Sequence, residues 1–140
     1  MTVEVVNFTR RSDLEKKVAV LAGKIIKLAK IKNGDLSVAL VGERKMRAIN
    51  HQWREQNKVT DVLSFSLAEE ESKNIISGEI FICPSQIARQ AEKNKESFHS
   101  ELTRILVHGI LHLLGYEHEQ KKKDAELMFA KQEQLLKKLK

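Results

Sequence analysis

The sequence predicts an α/β fold, in the wider sense α+β, in which a mixed sheet of about four strands is covered by about five helices. Three observations support this class. The chain has 140 residues, the length of one compact domain, so we expect residues 1–140 to form a single unit. One Pro and six Gly are too few for the many tight turns of an all-β sandwich. Short β-branched runs alternate with longer segments of helical periodicity, as expected when helices pack over a small sheet.

The predicted elements follow the order β-α-β-α-β-β-α-α-α. Strands are predicted over 3–8, 36–41, 62–67 and 78–83. Helices are predicted from Ser12 to near Asn33, over 43–53, over 84–94, from Ser97 or Ser100 to Leu114, and over 121–139. Some strands are separated by helices and two are adjacent, so parallel and antiparallel pairing should both occur and the sheet should be mixed.

Local signals justify the ends of these elements. Ser12 and Glu15 have the spacing of a capping box at the start of the first helix. Asn33 and Gly34 form a turn signal before the second strand. Pro84 stands where a first helical residue tolerates the missing N–H. The inner side of the last helix should be formed by Ala125, Met128, Phe129, Gln132, Leu135 and Leu136.

The composition limits the cellular setting. Cys83 is the only cysteine, so neither an internal disulfide nor a cysteine-based metal cluster can form. A single cysteine fits a reducing compartment best. We expect the Cys83 thiol to be buried and to have a packing role. The first eight residues lack the pattern of an export signal, and every apolar run is too short to span a bilayer. The sequence therefore predicts a cytoplasmic protein with no membrane partner.

The charge balance favours a polyanionic partner. Lys and Arg number 25 against 19 Asp and Glu, which gives a net charge of +6 and a pI near 9.5. Such a balance suits RNA. The lysines near the carboxyl terminus inflate the count and are equally explained by a solvated helix face, so charge alone does not identify the partner.

The strongest chemical signal is a cluster of histidines. Three of the five lie in the run His108-Gly109-Ile110-Leu111-His112-Leu113-Leu114-Gly115-Tyr116-Glu117-His118. His108 and His112 are four residues apart, so at 3.6 residues per turn both side chains leave the same face of a helix. Gly115 can adopt the left-handed conformation that ends a helix, after which the chain can bring His118 back to the same point. This spacing predicts a site for one metal ion.

Three neutral imidazoles at about 2.0–2.1 Å leave a fourth tetrahedral position for water, which is the arrangement of a catalytic zinc site. Zinc is therefore the preferred cofactor, although three imidazoles also suit nickel, copper, cobalt and iron. His51 and His99 have no such neighbours in the sequence and are expected to be surface or packing residues.

The spacing of the histidines is also that of the metzincin proteases, H-E-x-x-H-x-x-G-x-x-H. Those peptidases use the Glu as a general base, whereas this chain has Gly109, which cannot accept a proton. Peptide hydrolysis by that mechanism is therefore disfavoured. Three carboxylates remain as alternative bases from elsewhere in the chain: Glu79, Glu117 and Glu119.

The same run resembles the YbeY family of bacterial metal-dependent endoribonucleases. Its signature, H-G-x-L-H-L-x-G-Y-D-H, is met except that Glu117 replaces the Asp. A further segment, G-D-I-x-I-C-P, is matched over 78–84 with Glu79 in place of Asp. The segment N-x-x-Y/W-R with T-D-V-L-S-F is matched by Asn50, Trp53, Arg54 and residues 60–65. Together these matches extend from about residue 50 to residue 118.

The resemblance implies that His108, His112 and His118 bind zinc and that Arg54 is the functional arginine. It implies an endoribonuclease that cleaves single-stranded RNA, acting in maturation of the 3′ end of 16S rRNA and in ribosome quality control. The partners would be an rRNA precursor and the ribosome, and not DNA. The two Asp-to-Glu departures keep the charge but lengthen the side chain, so the roles of Glu79 and Glu117 stay open.

Arg54 also has a chemical role that does not depend on the resemblance. Phosphodiester cleavage builds negative charge on the non-bridging oxygens, and a guanidinium can stabilise two of them by bidentate hydrogen bonds. Either water or the ribose 2′-hydroxyl would serve as the nucleophile. Asp61 and Ser64 lie in the same motif, and for Asp61 we expect a structural role at a strand end.

Two other functions remain open from the sequence. One is a non-catalytic ribosome-assembly factor, in which the metal stabilises the fold and the basic surface binds rRNA. The other is a metallopeptidase, suggested by the histidine spacing alone. The oligomeric state cannot be inferred from these residues.

Overall fold

The computed structural model describes residues 1–70, 72–116 and 122–140, apart from the side chain of Lys122. Within these ranges the elements follow the predicted order. The strands are β1 (Thr2–Asn7), β2 (Asn33–Leu40), β3 (Val62–Ser66) and β4 (Ile75–Ile82). The helices are α1 (Leu14–Leu28), α2 (Glu43–Arg54), α3 (Pro84–Lys93), α4 (Phe98–Leu113) and α5 (Lys122–Leu139).

The four strands form one sheet in the order β1-β2-β4-β3. The pairs β1–β2 and β2–β4 are parallel, and β3–β4 is antiparallel. The predicted mixed α/β sheet is therefore confirmed. β3 lies at one edge of the sheet and β1 at the other, which separates the helices that pack beside them.

The main hydrophobic core lies between one face of the sheet and the helices α1, α4 and α5. Side chains alternate along a strand, so Ile76, Ile80 and Ile82 of β4 all point to this face and are fully buried. α4 is covered on most of its surface, and its buried apolar residues are Leu102, Ile105, Leu106, Val107, Ile110, Leu111 and Leu113. A helix this enclosed has its orientation determined by packing, which matters for any side chain it presents.

The opposite face of the sheet has a smaller core beneath α2. Met46 of α2 packs with Ala39 and Leu63 from the sheet and with Cys83, which is 0% exposed. The packing role expected for this thiol is therefore confirmed. By strand alternation Glu79 points to this same face, away from α4.

The predicted capping box at the start of α1 is wrong. The residue that precedes the helix is Asp13, and its side chain makes no capping hydrogen bond. The carboxylate of Asp13 instead pairs with the guanidinium of Arg11 at 3.0 Å. This ion pair lowers the pKa of Asp13, chiefly through the hydrogen bond from Arg11. The helix therefore begins one residue later than the spacing suggested, and Asp13 pairs with Arg11 instead of capping the helix.

The predicted turn at Asn33 and Gly34 is also wrong, because both residues belong to β2. The chain turns earlier, after Leu28, where Lys30 has a φ of 59°. Gly34 has a φ of 128°, and a Cβ there would lie 1.7 Å from the carbonyl oxygen of Ile76. Glycine is thus required for close approach of two paired strands, and β4 likewise begins earlier than predicted, at Ile75.

The predictions for the last two helices are largely confirmed. Ser97 caps α4, since its hydroxyl accepts the N–H of Ser100 at 3.0 Å. In α5, Met128, Gln132 and Leu135 are buried as expected. Phe129 was expected on the same side but is 61% exposed, because it lies one residue, or about 100°, around the helix from Met128.

None of the helices in the described ranges has both the length and the apolar character that crossing a membrane requires.

Candidate functional site

His108 and His112 lie side by side on α4, one turn apart and both half-buried. Their Nε2 atoms are 3.0 Å apart, and the ring centroids are separated by 4.6 Å. The predicted common face is therefore observed. Two nitrogens that share a tetrahedral ion at ordinary bond lengths lie about 3.3 Å apart, so this pair fits a divalent metal with little movement.

The second ring nitrogen of His108 is held by α5. Gln132, which is only 8% exposed, places its Oε1 3.3 Å from Nδ1 of His108. When Nδ1 carries the proton it donates to this oxygen, and Nε2 then presents its lone pair toward His112. The sequence indicated that Gln132 faces inward, but nothing in the sequence connected it with a residue 24 positions earlier.

The third predicted ligand, His118, lies outside the described residues, as do Glu117 and Glu119. Among the residues that the structure describes, no set of three His, Cys, Asp or Glu side chains could hold a metal ion. The chain leaving α4 does turn as expected, since Gly115 has a φ of 88°.

Lys73, in the loop between β3 and β4, contacts the chain at the end of α4. Its Nζ donates to the carbonyl oxygen of Leu114 at 3.1 Å. The same ammonium lies 3.7 Å from the centroid of the Tyr116 ring. Both contacts restrain the chain just after the two histidines.

Gly109, between the histidines, packs directly on the sheet. A Cβ at this position would lie 3.1 Å from Cδ1 of Ile80 and 3.3 Å from the hydroxyl oxygen of Ser64. A side chain here would require Ile80 and Ser64 to shift by a few tenths of an ångström, so the close packing favours glycine at this position. Glu79, one of the alternative bases, points to the other face of the sheet.

Arg54 is the last residue of α2, and its side chain extends over the edge strand β3. Its Nη2 donates to the carbonyl oxygen of Ser64 at 2.9 Å, and its guanidinium carbon lies 4.7 Å from the centroid of Phe65. The left-handed conformation of Glu55, with φ 57°, ends the helix directly after it. Arg54 is thus placed by one hydrogen bond and one ring.

Ser64 connects the two groups of side chains. Its carbonyl accepts the hydrogen bond from Arg54, while its hydroxyl lies next to Gly109 of α4. Ser64 therefore touches both Arg54 and the helix that carries the histidine pair. The sequence places Ser64 in a motif but leaves its role ambiguous.

Three neighbouring rings form an aromatic row, and Asp61 makes hydrogen bonds next to the start of β3. The rings of Trp53, Phe65 and Phe81 meet edge to face, with centroids 6.4 Å and 5.9 Å apart. Asp61 accepts a hydrogen bond from the Thr60 hydroxyl at 3.2 Å, and its carbonyl accepts the N–H of Cys83. These contacts agree with the structural role expected of Asp61.

Charges at the start of α2 are partly paired. Glu43 is bonded to Arg89 of α3, and that hydrogen bond holds the pKa of the Glu43 carboxyl below its usual range. The charge of Arg47 adds a smaller effect in the same direction. Glu43 is therefore ionised and already matched by a cation from another helix.

Comparison with known proteins decides the family. Residues 4–140 match the family described as Endoribonuclease YbeY. The chain belongs to the YbeY family. The match begins well before residue 50, where the sequence motifs began, so the YbeY likeness includes β1, α1 and β2 as well.

Individual relatives support this assignment over most of the chain. An Endoribonuclease YbeY from Thermodesulfovibrio yellowstonii is 41% identical over 156 residues, covering 100% of this chain and 98% of the relative. One from Persephonella marina is 39% identical over 127 residues, covering 89% and 83%. A solution structure from Thermotoga maritima superposes with a TM-score of 0.69 at 33% identity, covering 96% of this chain and 87% of that one.

Proposed function

We propose that this chain is a metal-dependent endoribonuclease that cleaves single-stranded RNA, in the cytoplasm and with residues 1–140 acting as one domain. Membership of the YbeY family supports the reaction class. The observation that carries the proposal is the convergence of the two Nε2 atoms on the helix that packs against Ser64, the residue whose carbonyl also accepts a hydrogen bond from Arg54. We further propose that the substrate is the 3′ end of precursor 16S rRNA, in its maturation and in ribosome quality control.

His108, His112 and His118 would hold the metal, with zinc preferred. The 3.0 Å separation of the first two Nε2 atoms supports their part in this set. A bound divalent ion supplies Lewis acidity, which makes an attacking oxygen more acidic and so activates it at neutral pH. Gln132 is a positioning residue in this scheme, because its contact with Nδ1 directs Nε2 of His108 toward the ion.

Arg54 would bind the scissile phosphate. One of its N–H groups is committed to the Ser64 carbonyl, and the exposed guanidinium has further N–H groups for non-bridging oxygens. Charge that develops on those oxygens in the transition state strengthens these bonds relative to the ground state, which is the condition for accelerating the reaction. The ring of Phe65 keeps the guanidinium plane over the strand.

Proteolysis is the weaker alternative. A metzincin-type general base would be required at Gly109, which has no side chain to accept a proton and packs closely against Ile80 and Ser64. Glu79 cannot replace it from the opposite face of the sheet.

The decisive experiment compares His112→Ala with His99→Ala. Both histidines lie on α4, but His99 is exposed at its first turn, so the pair is matched for residue and helix. Metal content is measured by elemental analysis of nuclease-free preparations, and cleavage is measured on a labelled single-stranded RNA under single-turnover conditions. We expect His112→Ala to lose bound metal and to lose cleavage by about 10³-fold or more, with His99→Ala unchanged.

Two results would overturn the proposal. If His112→Ala retains both metal and cleavage, the histidine pair is not the metal site. If the wild-type protein binds RNA but never cleaves it at stoichiometric concentration, the chain is an assembly factor and not a nuclease.

A further inference from the structure

The exposed side of α2 carries a row of three arginines and a histidine, and the proposed chemistry uses only the arginine at one end. Arg44, Arg47, His51 and Arg54 are spaced by three, four and three residues. At 3.6 residues per turn this spacing places all four on one side of the helix, within an arc of about 80°. All four are exposed, and the row extends over about 15 Å. We call these four residues the α2 row.

The orientation of α2 is determined by its other side. Met46 and Asn50 are buried beneath it, and the amide of Asn50 donates to the carbonyl oxygen of Lys58 at 3.0 Å. This packing against the smaller core prevents the helix from rotating. The α2 row therefore faces solvent along its whole length and ends at Arg54, over the edge strand β3.

The two arginines at the start of the row keep their charge and their donors. Glu43, the acidic residue in the first turn, is bonded to Arg89 of α3. Neither Arg44 nor Arg47 makes a hydrogen bond or ion pair with any residue in the described part of the chain. Three of the four members are arginines, whose planar fork of N–H groups matches the oxygens of a phosphate better than an ammonium does.

We propose that the α2 row binds the phosphate backbone of single-stranded RNA and guides the strand to Arg54. This inference rests on the proposed function, since it extends the binding site for the same substrate. A row in which Arg44, Arg47 and His51 precede a phosphate-binding arginine fits a polymer with repeated phosphates, whereas an isolated mononucleotide would use only the last position. The contacts are to the backbone, so they hold the strand without reading its sequence.

A second cationic surface provides the matched control. Lys24 and Lys27 are exposed on α1, three residues apart like Arg44 and Arg47. α1 packs beside β1, at the edge of the sheet opposite to β3 and Arg54. Neutralising either pair removes the same charge from the protein, but only one pair lies along the proposed path.

The test therefore compares Arg44→Gln/Arg47→Gln with Lys24→Gln/Lys27→Gln. Cleavage of a single-stranded RNA is measured over a range of salt concentrations. For the arginine pair we expect KM to rise about ten-fold or more at low salt, with kcat changed by less than about two-fold. The slope of log affinity against log salt should become shallower by about 1.4, because each lost contact with a single-stranded phosphate removes about 0.7. The lysine pair should leave both quantities unchanged.

Trp53 gives a second measurement that does not depend on cleavage. It is the only tryptophan, is 61% exposed, and directly precedes Arg54. RNA binding at the end of the α2 row should change its fluorescence, and the arginine pair should shift that titration to about ten-fold higher RNA concentration at low salt. Bound metal and melting temperature should match those of the wild type.

The outcomes separate this inference from the proposed function. If the wild type cleaves RNA but the two double variants have equal KM values and equal salt slopes, the α2 row is not the binding surface, while the nuclease assignment stands. If the wild type neither binds nor cleaves RNA, both proposals fall together.

Discussion

The histidine pair projects from the helix that packs on Ser64, and Arg54 bonds to the carbonyl of the same residue, but the two groups are held in very different ways. His108 and His112 project from α4, the most enclosed helix, and Gln132 of a second helix contacts one of the rings. Arg54 projects from the exposed end of α2 and rests on a backbone carbonyl and one aromatic ring. The first arrangement is enclosed on several sides, and the second is open to solvent.

The ligands proposed for the two groups would account for this difference. A metal ion requires nitrogens that converge within a few tenths of an ångström, so its ligands benefit from a helix whose position is set by packing. A phosphate on a flexible RNA strand approaches from solvent, so its partner must reach outward and keep free donors. The contrast predicts that the two groups can be damaged separately.

The largest difference between the effect on RNA cleavage and the effect on metal binding is expected for Arg54→Ala. Loss of the guanidinium should lower kcat for RNA cleavage by about 10²–10³-fold, because transition-state charge loses a hydrogen-bond donor. Arg54→Lys should recover only part of this, since an ammonium cannot make two parallel hydrogen bonds. Single-turnover cleavage and elemental analysis check this. Loss of metal from Arg54→Ala would contradict the independence of the two groups.

A smaller effect, confined to the metal side, is expected for Gln132→Leu. Without the contact to Nδ1 of His108, metal affinity should fall about 10- to 100-fold, as measured by competition with a chromophoric chelator. Gln132→Glu keeps an acceptor at the same place and should restore affinity. Gln134→Leu, exposed on the same helix, is the control. Equal affinities for the two leucine variants would remove Gln132 from the scheme.

The smallest effect is expected for Phe65→Leu, which sharpens the description of the Arg54 side. The guanidinium loses the ring beneath it, and kcat/KM should fall about two- to five-fold at unchanged metal affinity. Phe81→Leu is the matched control, because Phe81 packs edge to face on Phe65 and makes no ring contact with the guanidinium. Comparable losses in kcat/KM for the two variants would mean that general packing of the aromatic row, and not the ring under Arg54, is responsible.

Several features of the fold were predictable because they depend on local spacing. The order of strands and helices and the mixed sheet follow from the alternation of apolar periods two and 3.6. The common face of His108 and His112 follows from helix geometry alone. The errors occurred at the ends of elements, where α1 begins one residue later than its capping signal predicted and where pairing with β4 makes Gly34 a strand residue.

The supports of the site were not predictable in the same way. The signature marked Gly109 only as an absent base, whereas the structure gives it a contact with Ile80 and Ser64. The carbonyl of Ser64 contacts Arg54, and its hydroxyl lies next to Gly109 between the two histidines. No residue-type pattern encodes which oxygen of an edge strand faces an arginine ten positions earlier.

The sequence by itself determined which residue types recur at helical and strand periods, where the histidines share a face, and the family to which the chain belongs. The periodicity and the shared face depend on backbone geometry that repeats identically wherever a helix or strand forms. Only the tertiary structure decided that Gln132 meets His108, that Arg54 rests on Ser64 and Phe65, and that Gly109 packs closely on Ile80 and Ser64. These contacts join elements distant in sequence, and their distances are set by how the helices pack on the sheet.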